Sequence, residues 1–202
     1  MRKRRRGDGF KDPRRVLSTQ QKQLMLKLGN EIKVLDTSQA AVAVASTGTR
    51  FGISNIALGT NINNRIGRHV KLKDVLLRFT CVLPASASYA TQDTHNRMRV
   101  ILFRWLTRGS PTVADVLATN SVLSGLNVDN FRDIHVIRDE LVDMHIWSSY
   151  DDGTNHQLIP DVQSFKWYHS FAKTEDVDLS FNAAAAIEHG SLNILVISDS
   201  AI

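Results

Sequence analysis

The chain predicts an all-β fold: an antiparallel sandwich of about eight short strands behind a basic N-terminal arm that contains a short helix. Three observations lead there. From Glu31 onward apolar residues recur in short runs with a period of two, separated by turn residues. Little in that stretch sustains a helical period, and two longer insertions, Pro84 to His95 and Arg108 to Asn130, break the runs as loops break a sandwich. The 202 residues, 43% hydrophobic, suffice for one sizeable core, so an arm over 1–30 and one domain over 31–202 are expected.

The arm holds the positive charge. Met1 to Arg15 contains eight bases (Arg2, Lys3, Arg4, Arg5, Arg6, Lys11, Arg14 and Arg15) and two Asp, a balance of +6, so the rest of a +5 chain is −1. A cationic tail on a near-neutral body separates phosphate neutralisation from folding and protein contact. Phe10 is its only aromatic residue, so base stacking there is secondary to phosphate contact. Val16 to Asn30 follows with Leu17, Leu24 and Leu28 on one helical face, Ser18 as a candidate cap and Gly29-Asn30 as a stop, which predicts a helix over about 18–28. A helix this short needs a partner surface, either its own domain or another subunit. Lys22 and Lys27 keep it basic and able to face nucleic acid.

In the domain, Val75 to Leu83 is the clearest strand, with Val75, Leu77, Phe79, Cys81 and Leu83 inward. Val70 and Leu72 put the apolar set on even positions, which predicts a bulge or bend near Lys73-Asp74. Met98 to Leu106 is apolar on both faces apart from Arg99 and Arg104, as in a strand buried centrally or at a subunit contact. Phe131 to Arg138 and Leu141 to Trp147 alternate, with Ile134, Val136, Val142, Met144 and Ile146 as core candidates and Asp139-Glu140 between them as a turn. Phe165, Trp167 and Phe171 share a face; Val177, Leu179 and Phe181 share another. Ala183 to Ile187 is a weak strand, Leu192 to Ile197 a continuous apolar run, and Val113 to Leu123 carries a short-helix pattern. Eight strands behind a basic arm favour a jelly roll among sandwiches.

Composition and spacing also exclude. Cys81 is alone, so no intrachain disulfide framework forms. No segment approaches the ~18 uninterrupted apolar residues of a membrane span, and the arm lacks an apolar signal core, which predicts a soluble protein without membrane partners. The seven histidines show no metal-ligand spacing; there is no P-loop, nucleophile elbow or strand-linked GxGxxG. Asp133 with His135, and Asp143 with His145, share strand faces, an arrangement that is structural more often than catalytic. Asp151-Asp152-Gly153 reads as a turn, since it lacks the calcium-loop spacing. The expectation is a protein that is not an enzyme and has no cofactor or metal.

The run Gly59-Thr60-Asn61-Ile62-Asn63-Asn64-Arg65-Ile66-Gly67-Arg68-His69-Val70-Lys71-Leu72, entering the strand Val75 to Leu83, resembles the opening segment of small single-jelly-roll capsid proteins. The likeness is to coat proteins of circular, Rep-encoding single-stranded DNA viruses, similar to that of satellite tobacco necrosis virus. It extends over the basic arm, the Arg-Ile-Gly entry, the Met98 to Leu106 strand and the terminal strand ending at Asp199. The resemblance implies sixty identical subunits in a T=1 icosahedral shell with the arms inward, and an arm helix gathered at a three-fold axis through Leu17, Leu24 and Leu28. It implies a virion location, with the host nucleus compatible with assembly, and a single-stranded genome, DNA rather than RNA. Sixty arms at +6 carry on the order of 360 charges, enough to neutralise several hundred phosphates without reading a base. Lys71, Lys73 and Arg78 are surface charges that an inner shell wall would turn to phosphate.

Two other functions fit the same composition: a non-viral nucleic-acid-binding β-module with a basic tail, and a cupin-like or lectin-like jelly roll holding a metal or a sugar. The second needs clustered His and carboxylate ligands, which the spacing does not display.

Overall fold

The computed structural model describes residues 34–61, 64–83, 95–151, 156–159, 161–171, 177–181 and 187–199. The arm helix expected over 18–28 and most of the weak strand expected over 183–187 lie outside them, as does the Asp152-Gly153 turn.

The described residues of the domain form eleven strands: β1 (Thr49–Gly52), β2 (His69–Leu72), β3 (Asp74–Leu83), β4 (His95–Trp105), β5 (Ile134–His145), β6 (Trp147–Asp151), β7 (His156–Ile159), β8 (Asp161–Ser170), β9 (Val177–Phe181), β10 (Ile187–His189) and β11 (Ser191–Ser198). Every pairing between them is antiparallel. The fold is all-β, as expected.

The pairing is concentric. β1 pairs with β11 (Thr49 opposite Val196), β2 with β9 (His69 opposite Ser180), β3 with β8 (Asp74 opposite Ser170) and β4 with β5 (His95 opposite His145). The chain thus doubles back on itself as one long hairpin whose tip is the segment between Trp105 and Ile134. One pairing breaks the nesting: β11 lies along the whole of β4, from Ser191 opposite Trp105 to Ser198 opposite Met98. The result is a four-stranded sheet in the order β1-β11-β4-β5. β6 and β7 form a separate hairpin on the way from β5 to β8.

β4 is apolar on both faces because it has a core on each side. Met98, Val100 and Leu102 pack with Trp167, Phe171, Cys81 and Leu83. Ile101, Phe103 and Trp105 pack on the other side with Val116, Leu117 and Val122 of the 108–130 insertion. The central position was one of the two expected alternatives. The second apolar face is covered by the chain's own insertion, with β11 contributing Leu192 to the first core and Leu195 and Ile197 to the second.

The bend expected near Lys73-Asp74 is present: β2 ends at Leu72, β3 begins at Asp74, and the partner changes there from β9 to β8. The inward parity of β3 is as read, with Cys81 and Leu83 buried and Leu76, Arg78, Thr80 and Val82 exposed. Burial pushes the Cys81 thiol up to about 11.

Two expectations are corrected. Asp139-Glu140 is not a turn: β5 runs unbroken from Ile134 to His145. The polar interruption at Arg138 to Glu140 lies within a single strand that carries a bulge, since Leu102 pairs with Arg138 and Phe103 with Val136, leaving Ile137 as the extra residue. Even positions before it, Ile134 and Val136, serve one core, and those after it, Val142 and Met144, serve the other. The described residues hold more than the eight strands expected: β2 stands apart from β3 as a strand of its own, and β1 and the β6–β7 hairpin are short strands whose few residues carry no legible period. The short helix expected within Val113 to Leu123 is present as a single turn, α1 (Val113–Val116), capped by Thr112 and ended by Leu117 in extended conformation.

Candidate nucleic-acid and subunit interfaces

The arm residues expected to meet nucleic acid, Arg2 to Arg6, Lys11, Arg14, Arg15, Lys22 and Lys27, and the interface stripe Leu17, Leu24 and Leu28, all precede the described residues. Three surfaces of the domain remain.

The first is the entry segment before β2. Arg65 is 3% exposed, and its guanidinium lies 4.0 Å above the Phe181 ring while donating to the Ile56 carbonyl at 3.1 Å and to the Gly67 carbonyl. The backbone closes around it, with the Gly59 N–H donating to the Arg65 carbonyl and the Arg65 N–H to that of Ala57. A Cβ at Gly59 would collide with the Asn64 side chain, and Gly67 sits at φ +92° in open space. Arg-Ile-Gly is thus more than a turn before a strand. Its arginine brackets a loop onto β9, its glycine supplies the left-handed corner, and its isoleucine, 68% exposed, points outward.

The second is the insertion. Arg99 of β4 donates to both carboxylate oxygens of Asp139, at 2.8 and 2.6 Å, and its third nitrogen reaches the carbonyls of Val122, at 3.2 Å, and Ser124. Thr112 and Asp115 form a capping box on α1, and Asn127 and Asn130 side chains donate to the carbonyls of Ala114 and Asp115. The insertion is therefore fixed on the sheet by polar bonds as well as by its core, while Leu123, Val128 and Phe131 stay exposed. No sequence signal marked Arg99, since an arginine in an apolar strand reads as an interruption.

The third is the outer face of the β3–β8 ribbon, where Arg78 stands directly opposite Lys166 and Leu76 opposite Tyr168. Lys71, Lys73 and Arg78 are exposed, as expected of surface charges. Lys166 and Tyr168 were not singled out from the sequence, although the alternation of Val162, Ser164, Lys166 and Tyr168 against Phe165 and Trp167 marks them as outward.

In the pair Asp143 and His145 the carboxylate is bonded to an arginine and the imidazole lies against another ring. Asp143 and His145 share an exposed face, but Asp143 accepts from Arg97 at 2.7 Å, and the His145 ring lies against that of His95, 4.6 Å between centroids. The Arg97 hydrogen bond holds the Asp143 carboxyl below its ordinary range, aided by the charges of Arg97, His95 and His145. Among the described residues no group of three or more His, Cys, Asp or Glu is placed to hold a metal ion, and no helix is long and apolar enough to cross a membrane.

No protein-family model matches the chain, and no curated protein sequence matches it significantly.

Proposed function

We propose that the chain is a viral coat protein: a jelly-roll domain that closes with copies of itself into a T=1 shell of sixty subunits, and a Lys/Arg-rich start that packages a single-stranded genome. One observation carries the reading. A jelly roll is a long antiparallel hairpin wound upon itself, and the concentric pairs β1–β11, β2–β9, β3–β8 and β4–β5, with β11 crossing over to lie along β4, have the form of such a ladder and its winding. A fold of this kind, with a +6 segment at one end of the chain and a −1 remainder, is suited to assembly around a polyanion rather than to reading a sequence.

In this reading the work of the protein is assembly, not catalysis. The entry segment with Ile66 and the fixed insertion with Leu123, Val128 and Phe131 supply apolar surface for neighbouring subunits, and Leu17, Leu24 and Leu28 gather the arm helices. Phosphate neutralisation is indifferent to the sugar, so DNA is favoured over RNA on the resemblance alone.

Electron microscopy of the purified full chain tests the proposal. Closed particles roughly 20 nm across are expected; a persistent monomer that binds nucleic acid would replace this reading with that of a β-module with a basic tail.

A further inference from the structure

We propose that the outer face of the β3–β8 ribbon is a second nucleic-acid contact, on the folded domain itself, in which Arg78 and Lys166 bind one phosphate region of a single strand and Tyr168 stacks on the adjacent base. The inference rests on the packaging reading and specifies where, apart from the arm, the strand is held.

The register places the groups. On this face Leu76 stands opposite Tyr168, Arg78 opposite Lys166, Thr80 opposite Ser164 and Val82 opposite Val162. Like charges directly across an antiparallel pair repel and destabilise it. Elsewhere on the domain three arginines are matched to acids, Arg97 to Asp143, Arg99 to Asp139 and Arg138 to Glu140, while Arg50 and Arg65 are held by an amide and by carbonyls. Arg78 and Lys166 have no ion pair among the described residues, and the rungs on either side, Leu76–Tyr168 and Thr80–Ser164, carry no acid. An anion between the two cations removes their repulsion and gains charge-assisted hydrogen bonds.

The neighbouring rung identifies the anion's class. Tyr168 is 64% exposed, and its hydroxyl donates to Asp74 at 3.0 Å, which fixes the ring at the ribbon surface rather than leaving it to swing. Rungs on one face of a strand are about 7 Å apart, of the order of one nucleotide's stride along an extended strand. A cationic rung followed by an aromatic rung is the pairing of backbone neutralisation and base stacking that sequence-tolerant single-strand binders use. The Thr80–Ser164 hydroxyl pair, 3.2 Å apart on the other side, offers further donors to the backbone. Asp74, the acid on this face, lies two rungs from the cations and is occupied by Tyr168.

The test uses the full chain and a 4-thiothymidine-substituted oligothymidylate. Photo-crosslinking should map to peptides of 74–83 and 161–170. Arg78→Gln with Lys166→Gln should remove that crosslink and lower the slope of log affinity against log salt by about 0.7, the share of one phosphate contact on a single strand. Tyr168→Ala should weaken binding roughly tenfold, while Tyr168→Phe, which keeps the ring, should not. If the wild-type chain binds no oligonucleotide, the packaging reading itself fails. If it binds but these peptides stay unlinked and the slope is unchanged, only the ribbon assignment is overturned. Loss of particles in the double variant with oligonucleotide binding intact would give the face to a second copy of the chain and overturn the proposal. A duplex that crosslinks equally well would overturn the stacking role of Tyr168.

Discussion

Arg99 and Asp139 sit on a diagonal across β4 and β5, joined by two near-parallel hydrogen bonds of 2.8 and 2.6 Å, with the arginine side chain 12% exposed. The same guanidinium holds the insertion through the Val122 and Ser124 carbonyls. One residue therefore ties a bulged strand to the segment that covers the second core. Arg99→Met should cost about 2–3 kcal/mol, the range for losing hydrogen bonds to a partly buried charge. It should also expose 118–125 to proteolysis before global unfolding. Urea denaturation and limited proteolysis measure the two effects.

The entry loop should depend on Arg65 by shape as well as charge. Arg65→Lys keeps the charge but loses the planar fork that stacks on Phe181 and spans the Ile56 and Gly67 carbonyls. A loss of about 1–3 kcal/mol is expected. Gly67→Ala meets no neighbour within 4 Å, so its cost is the backbone alone, about 1 kcal/mol at φ +92°, and Gly67→Asn should cost less. Thermal melts of the three variants give the order.

Stability should fall in acid through carboxylates that the fold holds ionised. Asp143 is held down first by its Arg97 hydrogen bond, and Asp74 first by Ser170 and then by Tyr168. A carboxyl whose folded value lies below its unfolded value stabilises the fold above the unfolded value, near 3.8, and loses that contribution as pH falls through the folded one. Denaturant midpoints should therefore drop between about pH 5 and about pH 3, and drop less in Asp143→Asn. An equal drop in that variant would assign the acid sensitivity elsewhere.

Removing Met1 to Arg15 takes away eight cations and two acids. The truncated protein should lose packaged nucleic acid, and its salt slope should fall by on the order of 5, at ~0.7 for each phosphate released. Its circular dichroism should match that of the full chain. Particles still filled with genome would remove the arm from the mechanism.

Much of this fold was written in short-range pattern. The inward set of β3, the two-sided burial of β4, the cores under Ile134 and Met144, and the bend at Lys73 all follow from apolar spacing of two and its interruptions. Asp139-Glu140 carries the polar signature of a turn, and only the opposite strand shows that β5 runs through it with a bulge at Ile137. The candidate surfaces were less legible. Arg99, Lys166 and Tyr168 gain their meaning from residues 40, 88 and 94 positions away in the chain, counting Asp139, Arg78 and Asp74 as the respective partners.

The sequence by itself determined the charge separation between arm and body, the all-β class and the faces of the longer strands, because these depend on composition and on the two-residue repeat of the pleat. The tertiary structure decided which strands are neighbours, which apolar face meets which core, and which cations find an acid. Pairing energy belongs to groups brought together across the sheet, and no local period records a partner that lies on another strand.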